Sequence, residues 1–267
     1  MTFFHAIILG IIQGLTEFIP VSSTAHLLIG QKLFGLPADD AMFSFLVIVQ
    51  LGTIVSLIVF YWKDLLSLAQ AFFAKPFSTQ ENKLAWYIII ATIPALLAGY
   101  LLKDAVEALF KQPMLEASIR LFSAALLLTL AELLTRKNRL LSSMTWLDAL
   151  IVGLFQVIAI FPGASRSGTT ISGGMFRGLD RPSAARFAFL MSVPVMLAAG
   201  GYEMLDVVKM PNLSEFLPLL AVGFVMAAVV GWFAIRWLIE YLSNRSLYAF
   251  AVYCAAVGLI CGVFAVV

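Results

Sequence analysis

Six apolar runs in this chain are each long enough to cross a lipid bilayer as a helix. About 20 helical residues cross roughly 30 Å of hydrocarbon, where backbone groups must be hydrogen-bonded within the segment. The chain is 62% hydrophobic and 12% charged, whereas soluble domains carry about 25% charged residues. We therefore predict an all-α polytopic membrane protein that forms a single domain over residues 1–267. The runs lie near 44–62, 85–102, 118–135, 184–205, 216–239 and 247–267.

Two further apolar segments are interrupted near their middle. Segment 3–34 would be about 48 Å long as one helix, but Pro20 breaks it because proline removes a helical hydrogen bond. Segment 148–178 is interrupted in the same way by FPGASRSG at 161–168. Each half is too short to span alone. Each segment is therefore either a broken span or a re-entrant hairpin that enters and leaves on one side.

The distribution of lysine and arginine separates these two topologies, because cytoplasmic loops carry an excess of both. If both segments span, the residues divide 7 against 9, with no useful bias. If both are re-entrant, they divide 11 against 5, which predicts both termini outside and the RKNR loop at 136–139 in the cytoplasm. The larger group is Lys63, Lys75, Lys83, Arg136, Lys137, Arg139, Arg177, Arg181, Arg186, Arg236 and Arg245; the smaller is Lys32, Lys103, Lys111, Arg120 and Lys209.

An internal repeat supports the re-entrant topology. GIIQGLTEFIPVSST (10–24) and GLFQVIAIFPGASRS (153–167) share G-x-x-Q, an aromatic residue, a proline and a hydroxyl three residues later, with one single-residue gap. Three spans follow each copy, and since three is odd, the copies must have opposite orientations. This pattern predicts inverted-topology repeats over approximately 1–135 and 148–267, with the two hairpin tips meeting near mid-membrane.

Each tip is predicted to present the start of a helix. Unpaired N–H groups at a helix start, together with the macrodipole, favour anions. Ser22 or Ser23 could cap the first such helix, and Ala164 or Ser165 would open the second. Two helix starts directed at one cavity indicate a phosphate site.

The side chains of the tips suit the same ligand. Gln13 and Glu17 are spaced i, i+4, so both oxygens lie on one helical face, a pair that suits a hard divalent cation bridging to phosphate. His26 follows Ser22 and Ser23 by four and three residues, which would put a hydroxyl beside an imidazole. The second tip supplies a planar guanidinium among hydroxyls, a set that matches phosphate oxygens: Arg166, Ser165, Ser167, Thr169 and Thr170.

Other interpretations of these residues remain open at this point. Glu17 and Arg166 could form a purely structural ion pair, and His26 alone could be a satisfied core histidine. Serine and threonine in membrane helices often bond to their own backbone. An anion transporter or lipid flippase would also use half-helices at mid-membrane. The combination of carboxylate, hydroxyl, imidazole and guanidinium at two paired breaks favours chemistry, because transport does not require a serine–histidine pair.

The two tip sequences, QGLTEFIPVSSTAH (13–26) and PGASRSGTTISGG (162–174), resemble the motifs of the undecaprenyl-pyrophosphate phosphatase family of bacterial inner membranes, the bacitracin-resistance type. The first is similar to that family's [E/Q]-x-x-x-E motif and Ser/His run, and the second to its P-G-x-S-R-S-x-x-T motif. The resemblance covers essentially the whole chain. Type-2 phosphatidic-acid phosphatases are excluded because they need a second catalytic histidine downstream, and this chain has only His5 and His26.

The resemblance implies a multi-pass enzyme, with its site open to the outer leaflet, that converts undecaprenyl pyrophosphate to undecaprenyl phosphate and confers bacitracin resistance. It implies a divalent metal ion, Mg²⁺ or Ca²⁺, at Glu17 and Gln13. Gln13 stands where many relatives have Glu, which removes one charge from the metal site. The implied catalytic residues are Ser23, His26, Glu17 and Arg166, and we expect further phosphate ligands at Ser22, Thr24, Ser165, Ser167 and Thr170.

The predicted mechanism begins with attack of Ser23 on the terminal phosphorus while His26 takes its proton. In a competing version, His26 or Glu17 activates water and Ser23 only binds; the sequence does not choose between them. The expected partners are a polyprenyl pyrophosphate lipid and the bilayer, with a homodimer left open. The net charge of +2 is too small to indicate nucleic acid.

Overall fold

A computed structural model describes residues 1–37, 39–102, 113–136, 138–160, 165–209 and 213–266. Within these ranges the chain forms eleven α-helices, one 3₁₀ turn at Leu141–Ser143 and no strands, so the predicted all-α class is confirmed there. The helices are α1 (Phe3–Phe18), α2 (Ser23–Leu33), α3 (Asp40–Phe60), α4 (Trp62–Phe72), α5 (Gln80–Leu101), α6 (Pro113–Leu134), α7 (Trp146–Ile158), α8 (Arg166–Phe176), α9 (Arg181–Val207), α10 (Leu213–Asn244) and α11 (Tyr248–Val266).

Six of these helices, α3, α5, α6, α9, α10 and α11, are long and apolar enough to cross a membrane. They coincide with the six predicted runs and confirm a multi-pass membrane protein. Helices α1 and α7, with 16 and 13 residues, are apolar but shorter. At 1.5 Å per residue they reach about 24 and 20 Å, which is less than the hydrocarbon thickness. The spanning segments are Ala41–Phe60, Gln80–Leu101, Pro113–Leu134, Arg181–Tyr202, Phe216–Asn244 and Tyr248–Ala265.

The two interrupted segments are helical on both sides of their breaks. Helix α1 ends at Phe18 and α2 begins at Ser23, with Pro20 between them. Helix α7 ends at Ile158 and α8 begins at Arg166. Of the predicted second tip, positions 161–164 lie outside the described residues, including Ala164 as a possible helix start. Each half-helix is therefore followed by a new helix, as the prolines predict.

The first half-helix of each pair packs on the middle span of the other half of the chain. Helix α1 lies along α10, and a Cβ added to Gly14 would be 2.8 Å from the Val230 Cβ. Helix α7 lies along α5, where a Cβ added to Gly153 would be 2.5 Å from the Ala91 carbonyl oxygen. Such approaches exist only because glycine has no side chain. Small residues thus bring the helix backbones together, as is common in membrane bundles.

A buried carboxylate connects the two helices of the second interrupted segment, α7 and α8. Asp148, in the first turn of α7, has a fully buried side chain. It accepts hydrogen bonds from Arg139 Nη2 and Arg177 Nε, both at 2.7 Å, and forms a capping box with Thr145. Burial alone would raise the pKa of this carboxyl group, but hydrogen bonds from Arg139, Thr145 and Arg177 lower the pKa to about 2. The start of α7 is therefore fixed to the end of α8.

A second buried carboxylate joins three spans. Glu132, near the end of α6, accepts from Arg181 Nε and Nη2 at 2.6 and 2.7 Å. It also accepts from the Leu247 N–H at 2.8 Å, next to the start of α11. A bidentate arginine pair is among the stronger charge-assisted contacts. This contact holds α6, α9 and α11 together at one end of the bundle.

The close approach of α1 to α10 predicts that Gly14→Ala destabilises the protein. The added methyl group would meet Val230 and the Ala227 carbonyl oxygen, at 2.8 and 2.9 Å, and forcing helix backbones apart costs about 1–3 kcal/mol. The thermal midpoint in detergent should fall. In the control Gly201→Ala, at an exposed position of α9 with nothing within 4 Å of the added atom, the thermal midpoint should not fall. Equal shifts in the two variants would contradict the packing argument.

The environment of Asp148 predicts a pH-dependent stability. Because its folded-state pKa is lowered from 3.8 to about 2, its ionised form contributes stability above about pH 4, which is lost as the pH falls toward 2. Asp148→Asn should lower the thermal midpoint at pH 7, by the equivalent of about 2 kcal/mol, and should flatten the fall between pH 4 and 2. The control is Asp64→Asn, whose pair with Arg186 is partly exposed and so contributes about 1 kcal/mol or less. If the thermal midpoint of Asp148→Asn falls between pH 4 and 2 as steeply as that of the unchanged protein, this assignment is wrong.

Candidate active site

The last turn of α1 holds a carboxylate whose partners come from both sides of the break. Glu17 is buried, with a side chain that is 6% exposed. Its Oε2 accepts from Gln13 Nε2 at 2.8 Å and from Ser23 Oγ at 2.7 Å. The i, i+4 pair therefore shares one helical face, as its spacing predicts. Ser23 reaches Glu17 because side chains at a helix start lean back toward the N-terminus.

Arg166 brings the second tip to the same carboxylate. It is the first residue of α8, and its Nη2 lies 3.4 Å from Glu17 Oε1. Its side chain is 26% exposed, so the guanidinium remains accessible beside Glu17. A weak bond of 3.4 Å from Ser167 Oγ to the Ile19 carbonyl also joins the tips. Residues separated by about 150 positions thus form one polar site.

The hydroxyls of the second tip largely bond to their own helix. Ser165 is the N-cap of α8, where its Oγ accepts from the Gly168 N–H at 3.2 Å. Ser165 and Ser167 hydroxyls lie 3.3 Å apart. Thr170 is buried, and its hydroxyl donates to the Arg166 carbonyl at 2.7 Å. Thr169 bonds in the same way. Ser165 and Ser167 therefore lie beside Arg166, whereas the Thr170 proton is already used.

The first tip contains a backbone conformation that is rare for a residue with a side chain. Ser22 has φ 68° and ψ 92°, in the region that costs a non-glycine residue about 1–3 kcal/mol. It occupies the N-cap position of α2 but makes no side-chain capping bond, and it is buried. Thr24, the second residue of α2, is exposed. Strained backbone of this kind clusters at functional sites.

His26 does not contact the hydroxyls that its spacing led us to expect. Its Nδ1 lies 2.8 Å from the Ser22 carbonyl oxygen, and its Nε2 lies 2.7 Å from the Tyr253 hydroxyl. The rings of His26 and Tyr253 are nearly parallel, with an interplanar angle of 7° and centroids 5.6 Å apart. The expected pair does not form because Ser23 leans back to Glu17, which leaves the Ser22 carbonyl as the acceptor for the imidazole.

Comparison with known proteins identifies the family. Residues 6–260 match the family described as Bacitracin resistance protein BacA. An undecaprenyl-diphosphatase of Myxococcus xanthus is 39% identical over 265 residues, 97% of this chain and 88% of that protein. Proteins of the same name from Chlorobium phaeobacteroides and Rubrobacter xylanophilus are 41% and 42% identical, covering 97% and 93% of this chain and 95% and 93% of their own. The chain belongs to the BacA family.

Two site residues of this BacA-family chain were missed by sequence analysis, and both lie on α11. Tyr253 contacts His26 as described, and the Cys254 thiol lies 3.8 Å from the Pro20 carbonyl oxygen. One signal was present, since a tyrosine within an apolar span requires a partner for its hydroxyl. Nothing in the sequence indicates that this partner lies 227 residues away. Helix α11 therefore contacts the first tip through two consecutive side chains.

The oxygen ligands of the BacA-family site fit a divalent cation that keeps much of its hydration. The described residues contain no cluster of three or more His, Cys, Asp or Glu side chains. Glu17 supplies one carboxylate, and Gln13 supplies one amide group beside it. Mg²⁺ commonly binds one or two carboxylates together with waters and substrate phosphates. These residues can therefore hold such a cation when a pyrophosphate provides the remaining oxygens.

Proposed function

We propose that this protein is an undecaprenyl-diphosphatase, which removes the terminal phosphate of undecaprenyl pyrophosphate and thereby confers bacitracin resistance. Membership of the BacA family and relatives named undecaprenyl-diphosphatase support this activity. The principal structural support is the contact of Arg166 with Glu17, at 3.4 Å, while Glu17 accepts from the Ser23 hydroxyl at 2.7 Å. A guanidinium can stabilise the charge of a transferred phosphoryl group, and a carboxylate can orient the hydroxyl that attacks it.

The second tip is proposed to bind the phosphate oxygens. The planar guanidinium of Arg166 can donate two parallel bonds to a phosphate. It lies at the start of α8, where unpaired N–H groups and the macrodipole favour an anion. Ser165 and Ser167 add hydroxyls beside it. Of the other proposed ligands, Ser22 and Thr24 lie at the first tip, and the Thr170 hydroxyl already donates to the Arg166 carbonyl.

Ser23 is the proposed nucleophile, and the geometry favours Glu17 over His26 as the acceptor of its proton. Ser23 Oγ attacks the terminal phosphorus while Glu17 takes the hydroxyl proton. The bond to the bridging oxygen breaks, and undecaprenyl phosphate leaves. Water then attacks the phosphorus, the bond from phosphorus to Ser23 Oγ breaks, Glu17 returns its proton to Oγ, and phosphate leaves with the oxygen and protons of the water. The support is the 2.7 Å hydrogen bond from Ser23 Oγ to Glu17 Oε2, whereas His26 faces the Ser22 carbonyl.

Gln13 and Glu17 are the residues proposed to hold a divalent cation, Mg²⁺ or Ca²⁺. When bound, such a cation neutralises part of the pyrophosphate charge. Gln13 also donates to Glu17, which keeps the carboxylate oriented toward Ser23. The neighbouring guanidinium of Arg166 adds a second positive charge without a metal. Together the cation and the guanidinium would offset the negative charge of the substrate.

The proposed topology has two re-entrant hairpins, α1–α2 and α7–α8, as parts of inverted repeats over approximately 1–135 and 148–267. The lengths of α1 and α7, which are too short to span, support it. The packing of each first half-helix on a span of the other repeat also supports it, since α1 packs on α10 and α7 packs on α5. Gly10 and Gly153 occupy equivalent positions of the repeat and approach Gly223 and Ala91 on those two spans.

The proposed location is the bacterial inner (plasma) membrane, with the site open to the periplasmic or outer side. The excess of Lys and Arg on one side, 11 against 5, supports an outside position for both termini. In that orientation α1 enters from outside, and its end at Phe18 brings Glu17 to the tip. The pyrophosphate headgroup of a lipid in the outer leaflet would then be the part of the substrate that reaches the tip.

The activity is tested by phosphate release from undecaprenyl pyrophosphate by purified protein in detergent, where no gradient exists to drive transport. We expect release that stops with chelator and returns with Mg²⁺ or Ca²⁺. Arg166→Ala should lower kcat/KM by about 10²- to 10³-fold, because a donor to the developing charge is lost. Arg186→Ala, which removes an exposed pair with Asp64, is the control and should remain active. Binding of the lipid without any release would favour a transporter.

The covalent route predicts that Ser23→Ala loses about 10³-fold or more in kcat, as removal of a nucleophile does in other hydrolases. Acid-quenched reactions of the unchanged protein should contain phosphoserine at position 23 by mass spectrometry. Thr16→Ala is the matched control, because Thr16 donates only to the Ile12 carbonyl on the same half-helix. If Ser23→Ala retains substantial turnover, water is the attacking group and the covalent route is wrong.

A further inference from the structure

Tyr253 contacts His26 through its hydroxyl and its ring. Its hydroxyl lies 2.7 Å from His26 Nε2, and its ring lies nearly parallel to the imidazole, with the ring centroids 5.6 Å apart. Tyr253 lies on α11, in the second half of the chain, whereas His26 lies on α2, in the first half. The imidazole is therefore held from a helix outside its own hairpin.

The partners of the two ring nitrogens determine where the imidazole proton lies. His26 Nδ1 faces the Ser22 carbonyl oxygen at 2.8 Å, and a carbonyl only accepts hydrogen bonds. In the neutral ring, Nδ1 must therefore carry the proton, which leaves the lone pair on Nε2. The Tyr253 hydroxyl can donate to that lone pair. The tautomer of a histidine is set by the bond that its other nitrogen makes.

This arrangement connects α11 to the strained turn at the first tip. The Nδ1–H group of His26 holds the carbonyl of Ser22, the residue with φ 68° that immediately precedes Ser23. The next residue of α11, Cys254, lies 3.8 Å from the Pro20 carbonyl oxygen in the same turn. Two consecutive residues of α11 thus reach two backbone carbonyls of the tip, one of them through His26.

We propose that Tyr253 is a positioning residue, whose hydroxyl donates to Nε2 of the neutral Nδ1–H form of His26, fixes the orientation of the imidazole and thereby holds the Ser22–Ser23 turn in its reactive geometry. This inference rests on the proposed phosphatase function only for its kinetic consequence. The contact and the tautomer are properties of the protein without substrate. Tyr253 acts through His26 and forms no bond to phosphorus.

The kinetic test compares Tyr253→Phe, which keeps the aromatic ring and removes the hydroxyl, with the unchanged protein. Loss of one hydrogen bond should lower kcat by about three- to tenfold, with KM changed less than about twofold because phosphate ligands are untouched. In a His26→Ala background, the same substitution should have no further effect, since residues acting through one another are not additive. Tyr248→Phe, on the same helix and apart from the tip, is the control and should leave kcat unchanged.

A spectroscopic test does not depend on turnover. The chain has only His5 and His26, and His5→Gln leaves one imidazole while a glutamine can retain the capping box at Thr2. In this variant, labelled with ¹⁵N-histidine in detergent micelles, we expect the proton on Nδ1 and a hydrogen-bonded Nε2. Adding Tyr253→Phe should shift the Nε2 resonance toward that of a free pyridine-type nitrogen, while Nδ1 stays protonated.

Three results would overturn the inference. The first is full turnover by Tyr253→Phe, and the second is that Tyr253→Phe lowers kcat as much in the His26→Ala background as in the unchanged protein. The third is a neutral imidazole with its proton on Nε2. If the unchanged protein releases no phosphate, the proposed function fails instead. The nitrogen spectra would still decide whether Tyr253 holds His26. The two failures are therefore distinguishable.

Discussion

The hydrogen bond between Ser23 and Glu17 is the contact on which the site depends. It joins the last turn of one half-helix to the first residue of the next, across a break that contains Pro20. A carboxylate buried in a membrane protein requires partners, because an isolated charge in a medium of low polarity is strongly disfavoured. Glu17 obtains them from Gln13, Ser23 and Arg166. The same contacts that allow the charge to remain buried also orient it toward the hydroxyl.

Those contacts require that two half-helices from distant parts of the chain stop at fixed positions. Helix α1 is fixed by the approach of Gly14 to α10, and α7 by the approach of Gly153 to α5. At the other end, Asp148 ties the start of α7 to the end of α8. Because close-packed helices are hardly compressible, a small shift of one half-helix is transmitted to its tip. The geometry of the tips therefore depends on glycine contacts and an ion pair that touch no substrate.

Much of this fold could be predicted from sequence, because the bilayer imposes helix length and proline imposes breaks. The six spans follow from the length of the apolar runs, and the contact of Gln13 with Glu17 follows from the i, i+4 spacing of a helix. The partner of His26 could not be predicted, since spacing identifies neighbours on one helix and Tyr253 lies on another. The direction of Ser23 was also open, because a residue at a helix start can face the preceding segment or its own helix. Ser23 faces the preceding segment because Glu17 offers a charged acceptor there.

The strained turn at Ser22 explains why His26 lies where it does. A left-handed residue costs about 1–3 kcal/mol and persists only where its surroundings hold it. The carbonyl of Ser22 is held by the imidazole of His26, which in turn is held by Tyr253. Irregular backbone at membrane depth is tolerated only where it is buried in protein or lines a cavity. His26 therefore holds the backbone of the tip, and Glu17, which accepts from the Ser23 hydroxyl, is the proposed base for Ser23.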